Sequence, residues 1–194
     1  MTRFRPGRTL VFVSLAWMGT WTQVAVGQTP TPAPGAASAQ KKSGVAAPAP
    51  RVYANLAQLM RGILFPASNV IFAAQNDDPT KIAPAKDPAT ATDLLASSYG
   101  QWQAVENSSL ALSEAATLLM IPGRKCSNGL PVPIRNADWP KFVQGLRDAG
   151  VTAYKAAQSK STDNILMAAD AITEACANCH NKYREKPNLA DRCK

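Results

Sequence analysis

Cys176, Cys179 and His180 fall within five residues, as Cys-Ala-Asn-Cys-His, and His180 is the only histidine among 194 residues. Positions i, i+3 and i+4 of an α-helix share one face. Two thiols and an imidazole so spaced call for a helix whose one side borders an interior. C-x-x-C-H is the attachment signature of c-type haem. The thiols form thioethers with two vinyl groups, and the imidazole reaches the iron. A single histidine rules out a His-rich zinc site and a Ser-His or Cys-His triad elsewhere. A thioredoxin-like Cys pair belongs to a βαβ setting, and no strand pattern flanks this one. A zinc site would need Cys126, Cys193 or a carboxylate, and none has a paired ligand spacing. The motif predicts one covalently attached haem c.

The N-terminus reads as an export signal over residues 1–27. Arg3, Arg5 and Arg8 precede a short apolar core from Leu10 to Trp17, and Ala25-Val26-Gly27 offers a small-residue cleavage site. The apolar run is short for a membrane span; an uncleaved anchor, lengthened by Trp17, Met18 and Trp21, is the alternative. Cleavage predicts no stable membrane insertion and a periplasmic location, where bacterial haem attachment takes place. It removes three arginines and no acids, lowering the formal charge from +8 to +5. No basic stripe interleaved with aromatics points to nucleic acid. The charge fits docking to an acidic redox protein, and solubility explains it equally well. Residues 28–50 carry Pro30, Pro32, Pro34, Pro48 and Pro50 and few apolar residues, the composition of an extended tether. Residues 51–187 are enough for one domain, followed by a tail, 188–194.

The domain reads as all-α. Tyr53, Leu56, Met60, Ile63, Leu64, Ala67 and Ile71 recur at three and four over residues 52–74, with Pro66 expected to kink or split the helix. A second helix is predicted from Asp93 to 121, with Leu95, Trp102, Val105, Leu112 and Leu119 buried. A third opens at Asp138 with Pro140 in its first turn. A fourth follows Ser161 and runs to about 186, before Pro187. Its seam of Ile165, Ala169, Ile172, Cys176, Cys179 and Tyr183 puts the haem motif on the core side. Short links suggest an up-down-up-down four-helix bundle, with haem near the end of the last helix. That topology brings His180, Met60, Met120, Cys126 and Cys193 to one end. Met60 or Met120 is then a candidate sixth ligand, while Met167 lies roughly 20 Å along the helix from His180. Cys126 and Cys193 are a candidate disulfide, unless both stay as free thiols. Trp102 and Trp139 are expected as core packing or pocket walls.

A helical domain ending in Cys176-Ala-Asn-Cys-His180-Asn-Lys-Tyr183-Arg184 resembles the class II c-type cytochromes, cytochrome c′ and its low-spin relatives, over about residues 53–186. The resemblance implies that Cys176 and Cys179 attach haem, that His180 is the proximal iron ligand, and that Arg184 lies near the propionates. In the low-spin relatives a methionine of the first helix is the distal ligand, which matches Met60. The long proline-rich leader, Pro66 and the cysteine pair depart from the family pattern.

Two functions follow as expectations. One is an exported electron carrier with His180/Met60-ligated iron, no enzymatic activity, and a redox protein as partner. The other is a five-coordinate binder of nitric oxide or carbon monoxide, with Met60 as core filling. Membership of a larger redox assembly is a third possibility, and a homodimer is compatible with each.

Overall fold

In a computed structural model that describes residues 49–193, the first helix starts at a capping box. Asn55 Oδ1 accepts from the Gln58 N–H at 2.8 Å, and Gln58 Oε1 accepts from the Asn55 N–H at 2.9 Å. Two of the unpaired donors of the first turn are satisfied in this way. Helix α1 therefore spans Leu56–Ala74, not 52–74. Tyr53, expected on its buried stripe, precedes the cap and is 86% exposed. The expected signal peptide and almost all of the expected tether lie outside the described residues.

Pro66 does not split α1. Proline has no N–H to donate, and its ring presses on the carbonyl four residues back, here that of Gly62. The preceding turn, Met60–Leu64, is a π-helix, with the Phe65 N–H bonded to the Met60 carbonyl. The wider turn absorbs the misfit without breaking the helix. The extra residue also rotates Ile63 outward, to 37% exposure, while Leu64, Ala67 and Ile71 stay buried. Length and composition would let α1 cross a membrane, yet its Leu56, Leu59, Leu64, Ala67, Ile71 and Ala74 side chains are buried within the protein.

Helix α2 spans Gln101–Ala115 and tightens into a 3-10 segment, Ala116–Met120. It starts eight residues later than the expected Asp93. Asp93 does cap, but what it caps is a 3-10 turn, Leu94–Ala96, through the Leu95 N–H at 2.9 Å. Gly100 then packs so close to the Leu95 and Ser97 carbonyls that a Cβ has no room. Gln101 takes a positive φ of 53°, and its side-chain amide donates to Ile82 O at 3.1 Å. This turn separates the two helical pieces.

Helix α3 spans Trp139–Gln158 and α4 spans Thr162–Tyr183. They are joined by a tight turn in which Lys160 has φ 51°. Ser161 caps α4 by accepting from the Asn164 N–H at 3.3 Å. The last helix ends three residues short of the expected 186. Pro187 has no N–H for the Tyr183 carbonyl, and that carbonyl accepts instead from the Cys193 N–H at 2.9 Å. Cys193 is disulfide-bonded to Cys126, with the two Cα atoms 5.0 Å apart. The segment expected as a separate tail is thereby held against the helices.

The chain is all-α; among the described residues the only β feature is a single bridge, Lys125 to Pro131. Helix α1 packs on α2 and α4, α2 also on α3, and α3 also on α4. Ile71, Val105, Leu112, Trp139, Ile165 and Ile172 are at most 1% exposed at the centre.

The α2–α3 contact is close because its residues are small. A Cβ on Gly150 would lie 2.8 Å from the Ser113 N and 3.0 Å from the Ser109 O. Ser109 is fully buried and spends its hydroxyl on the Val105 carbonyl at 2.7 Å. The contact is between backbones, so no side chain can rotate away to admit a methyl group. Gly150→Ala is expected to lower the unfolding free energy by about 1–3 kcal/mol through overpacking. Urea unfolding followed by helical circular dichroism measures this; unchanged stability would mean that the helices are not this close.

Candidate functional site

The start of α1, the end of α2, the start of α3 and the end of α4 together border a cavity of about 630 Å³. That volume lies within the usual range of ligand sites. Leu112, Leu119, Trp139, Val143 and Leu146 form an apolar wall. Phe65 also borders the cavity while 63% exposed, so an aromatic ring stands uncovered at its edge.

Cys176, Cys179, His180 and Arg184 all line this cavity, and so does Met60 from the opposite helix. Met120 does not line it, although it packs against the core. Met167 is on the outside of α4, 64% exposed. Of the two candidate ligands, the cavity therefore takes in Met60. Trp139 is a cavity wall, with its Nε1–H donating to Leu119 O at 3.2 Å. Trp102 is packing, its Nε1–H bonded to Thr80 Oγ1 at 2.8 Å. Cys193 borders the cavity, and Cys126 stands behind it in the disulfide.

Burial, more than any nearby charge, sets the protonation of the motif. It raises the Cys176 thiol and pushes Cys179 up to about 11. Both are neutral thiols at pH 7. A redox-active Cys-x-x-Cys works through a lowered thiol pKa, the opposite direction. Among the described residues no three His, Cys, Asp or Glu side chains converge as a metal cluster. Burial, with Arg184 adding to it, lowers the His180 imidazole below its ordinary value. The ring is neutral at pH 7 and keeps a nitrogen lone pair for a metal. Arg184 lines the cavity but is half exposed and pairs with Glu185, Nε to Oε1 at 2.5 Å. Its positive charge is at the rim, partly engaged.

This donor set fits haem c. Two neutral thiols, a neutral imidazole and a thioether face one apolar space of suitable size, with Arg184 and the exposed Arg61 at its border. Arg61 belongs to no motif; its one signal in the sequence is its position directly after Met60.

Tyr183 joins a network that no sequence pattern announces. The Tyr183 hydroxyl donates to Asp138 Oδ1 and accepts from Asn136 Nδ2 at 3.2 Å. Its ring packs edge-on against Trp139 and Phe142, at centroid distances of 5.0 and 6.3 Å. Asp138, expected to open α3, makes no side-chain cap bond there. Its carboxylate is turned to Tyr183 and so ties α3 to the helix that carries Cys176, Cys179 and His180.

The Tyr183 hydroxyl is the main cause that holds the Asp138 carboxyl below the ordinary aspartate value of 3.8. A carboxyl lowered by folding stabilises the fold above its ordinary value and loses that contribution as pH falls through the folded one. Tyr183→Phe removes the donor. The variant is expected to be less stable than the parent at pH 6, with the gap narrowing as pH drops below 3.8. Denaturant midpoints measured across pH test this, and a gap independent of pH would contradict it.

No family model, no curated protein and no solved structure matches this chain.

Proposed function

We propose that the chain is a monohaem c-type cytochrome that carries single electrons, with haem c joined to Cys176 and Cys179 and its iron held between His180 and Met60. One observation carries this reading: Met60 from α1 and the Cys-x-x-Cys-His residues from α4 border the same apolar cavity. Met120 and Met167, equally available by composition, do not.

Haem bound there supplies a one-electron iron couple. The chain's own residues do the rest. Cys176 and Cys179 would give their sulfurs to the two thioether links, each S–H adding across one vinyl group, and burial keeps both as neutral thiols. His180 offers its neutral nitrogen. Met60 offers a thioether, which raises the potential compared with a harder ligand. With His180 and Met60 both holding the iron, no open position would be left for a substrate, as would suit a carrier and not an enzyme. Arg184 and Arg61 bring positive charge to the rim, where the cofactor's carboxylates have to be balanced. Leu112, Leu119, Trp139, Val143 and Leu146 give the group an apolar wall. Lys182 and Lys186 lie close in sequence to Arg184, and the basic chain suits a redox partner with an acidic face.

The same reading takes the helices as an up-down-up-down four-helix bundle with haem near the end of the last one. Two findings support it: each helix packs on the next and α4 returns to α1, and alternate helix ends meet at the cavity. A periplasmic location is part of the reading. The disulfide supports it, since such bonds persist in oxidising compartments.

The experiment is optical. The chain is produced with haem-maturation machinery, and ferric and ferrous spectra are taken with and without carbon monoxide. A low-spin ferric spectrum with a sulfur-to-iron band, and a ferrous spectrum indifferent to carbon monoxide, is expected. Met60→Leu should abolish the band and admit carbon monoxide. A high-spin parent protein that binds carbon monoxide would overturn Met60 ligation and favour a five-coordinate gas binder of the cytochrome c′ type.

A further inference from the structure

Three consecutive residues hold the ends of three helices. Arg124 is buried, at 6% exposure, and no carboxylate pairs with it among the described residues. Its Nη1 donates to Ala54 O at 2.5 Å, just before α1, and its Nε to Leu118 O at 3.2 Å, at the end of α2. The Lys125 carbonyl accepts from the Leu56 N–H, the first residue of α1, at 2.8 Å. Cys126 is bonded to Cys193, whose own N–H donates to the Tyr183 carbonyl at the end of α4. The run is reinforced from the side: Asn128 Nδ2 donates to the Ala190 and Arg192 carbonyls at 3.2 and 2.8 Å.

Met60 lies one turn after Leu56, and His180 one turn before Tyr183. The turn that begins at Met60 is the π segment, where the regular hydrogen-bond ladder changes register. Helix α1 thus changes register just where Met60 sits, and its first N–H, that of Leu56, is met from a distant segment by the Lys125 carbonyl. Resting on the reading of Met60 as an iron ligand, we propose that Arg124 and the Cys126–Cys193 disulfide form a clasp that positions Met60 opposite His180. Arg124 is a positioning residue in this role: it does not line the cavity, and it acts through the start of α1. A planar guanidinium can bond two carbonyls lying in different directions, whereas an ammonium on a flexible stem does so poorly. Lysine is therefore not an adequate replacement, although it keeps the charge.

The test uses the haem-loaded protein, with Arg124→Gln, Arg124→Lys, and a double variant, Cys126→Ser with Cys193→Ser. Two quantities are read. One is amide hydrogen exchange in the first turn of α1, Leu56 to Met60, compared with Ile165 to Ile172 in α4. The other is the sulfur-to-iron band together with carbon monoxide binding. In each variant, first-turn exchange is expected to rise roughly tenfold or more as charged hydrogen bonds or the tie behind them are lost. Exchange in α4 should stay as it was. The band should weaken, carbon monoxide should gain access, and haem should remain attached. Lysine should behave like glutamine. Variants with unchanged exchange and an unchanged band would overturn the clasp while leaving Met60 ligation intact. Arginine variants that fail to fold or to retain haem would overturn it as well, because the segment would then be a support of the whole fold. A parent protein without the band would contradict Met60 ligation itself, and the role given to the clasp would fall with it.

Discussion

One helix face can supply only one side of a ligand site. Cys176, Cys179 and His180 use up the inner face of the last turns of α4, so the opposite side has to come from a helix distant in sequence. On the proposed reading, the elements around the cavity are arranged to meet that requirement. Helix α1 brings Met60 to the cavity, the π turn accommodates Pro66 without breaking the helix that carries it, and Arg124 and Lys125 bond to the start of α1. The disulfide extends the same restraint to the end of α4.

The cavity arises from a change in side-chain size along the same pair of helices. Around Gly150, Ser109 and Ser113, α2 and α3 touch backbone to backbone. Toward Trp139 and Leu119 the residues become large, and these larger side chains border the cavity. Small residues in the one region and bulky ones in the other allow a tightly packed interior beside an open space. Burial at that space then decides the chemistry. It raises both thiols and lowers the imidazole, so all three stay neutral, which suits metal ligation by the imidazole and does not suit thiol redox exchange.

Much of this was legible from spacing alone. The starts of α3 and α4, and the burial of Ile165, Ala169, Ile172 and Tyr183 along α4, follow from helix-start signals and a three-and-four periodicity. The parts that were hidden depend on distant atoms. Asp93 has the right side chain for a helix cap, but whether a long helix follows depends on how Gly100 packs against Leu95 and Ser97. Ile63 fits the stripe of a regular helix and leaves it only because the turn is a π turn. Tyr53 fits the same stripe and is cut off by the Asn55 capping box. Arg124 and Asp138 read as an ordinary loop cation and an ordinary helix cap. Their partners, at Ala54 and Tyr183, are distant in the chain, and no local pattern announces them.

Covalent attachment of one haem is the central claim, and intact mass after denaturation tests it most directly. The chain is produced with haem-maturation machinery, unfolded in acid and organic solvent, and weighed. The account predicts a chain heavier by one haem, with the added mass lost when Cys176 and Cys179 are both replaced by alanine. A chain that carries no haem after denaturation, or that keeps it without those two cysteines, would contradict it.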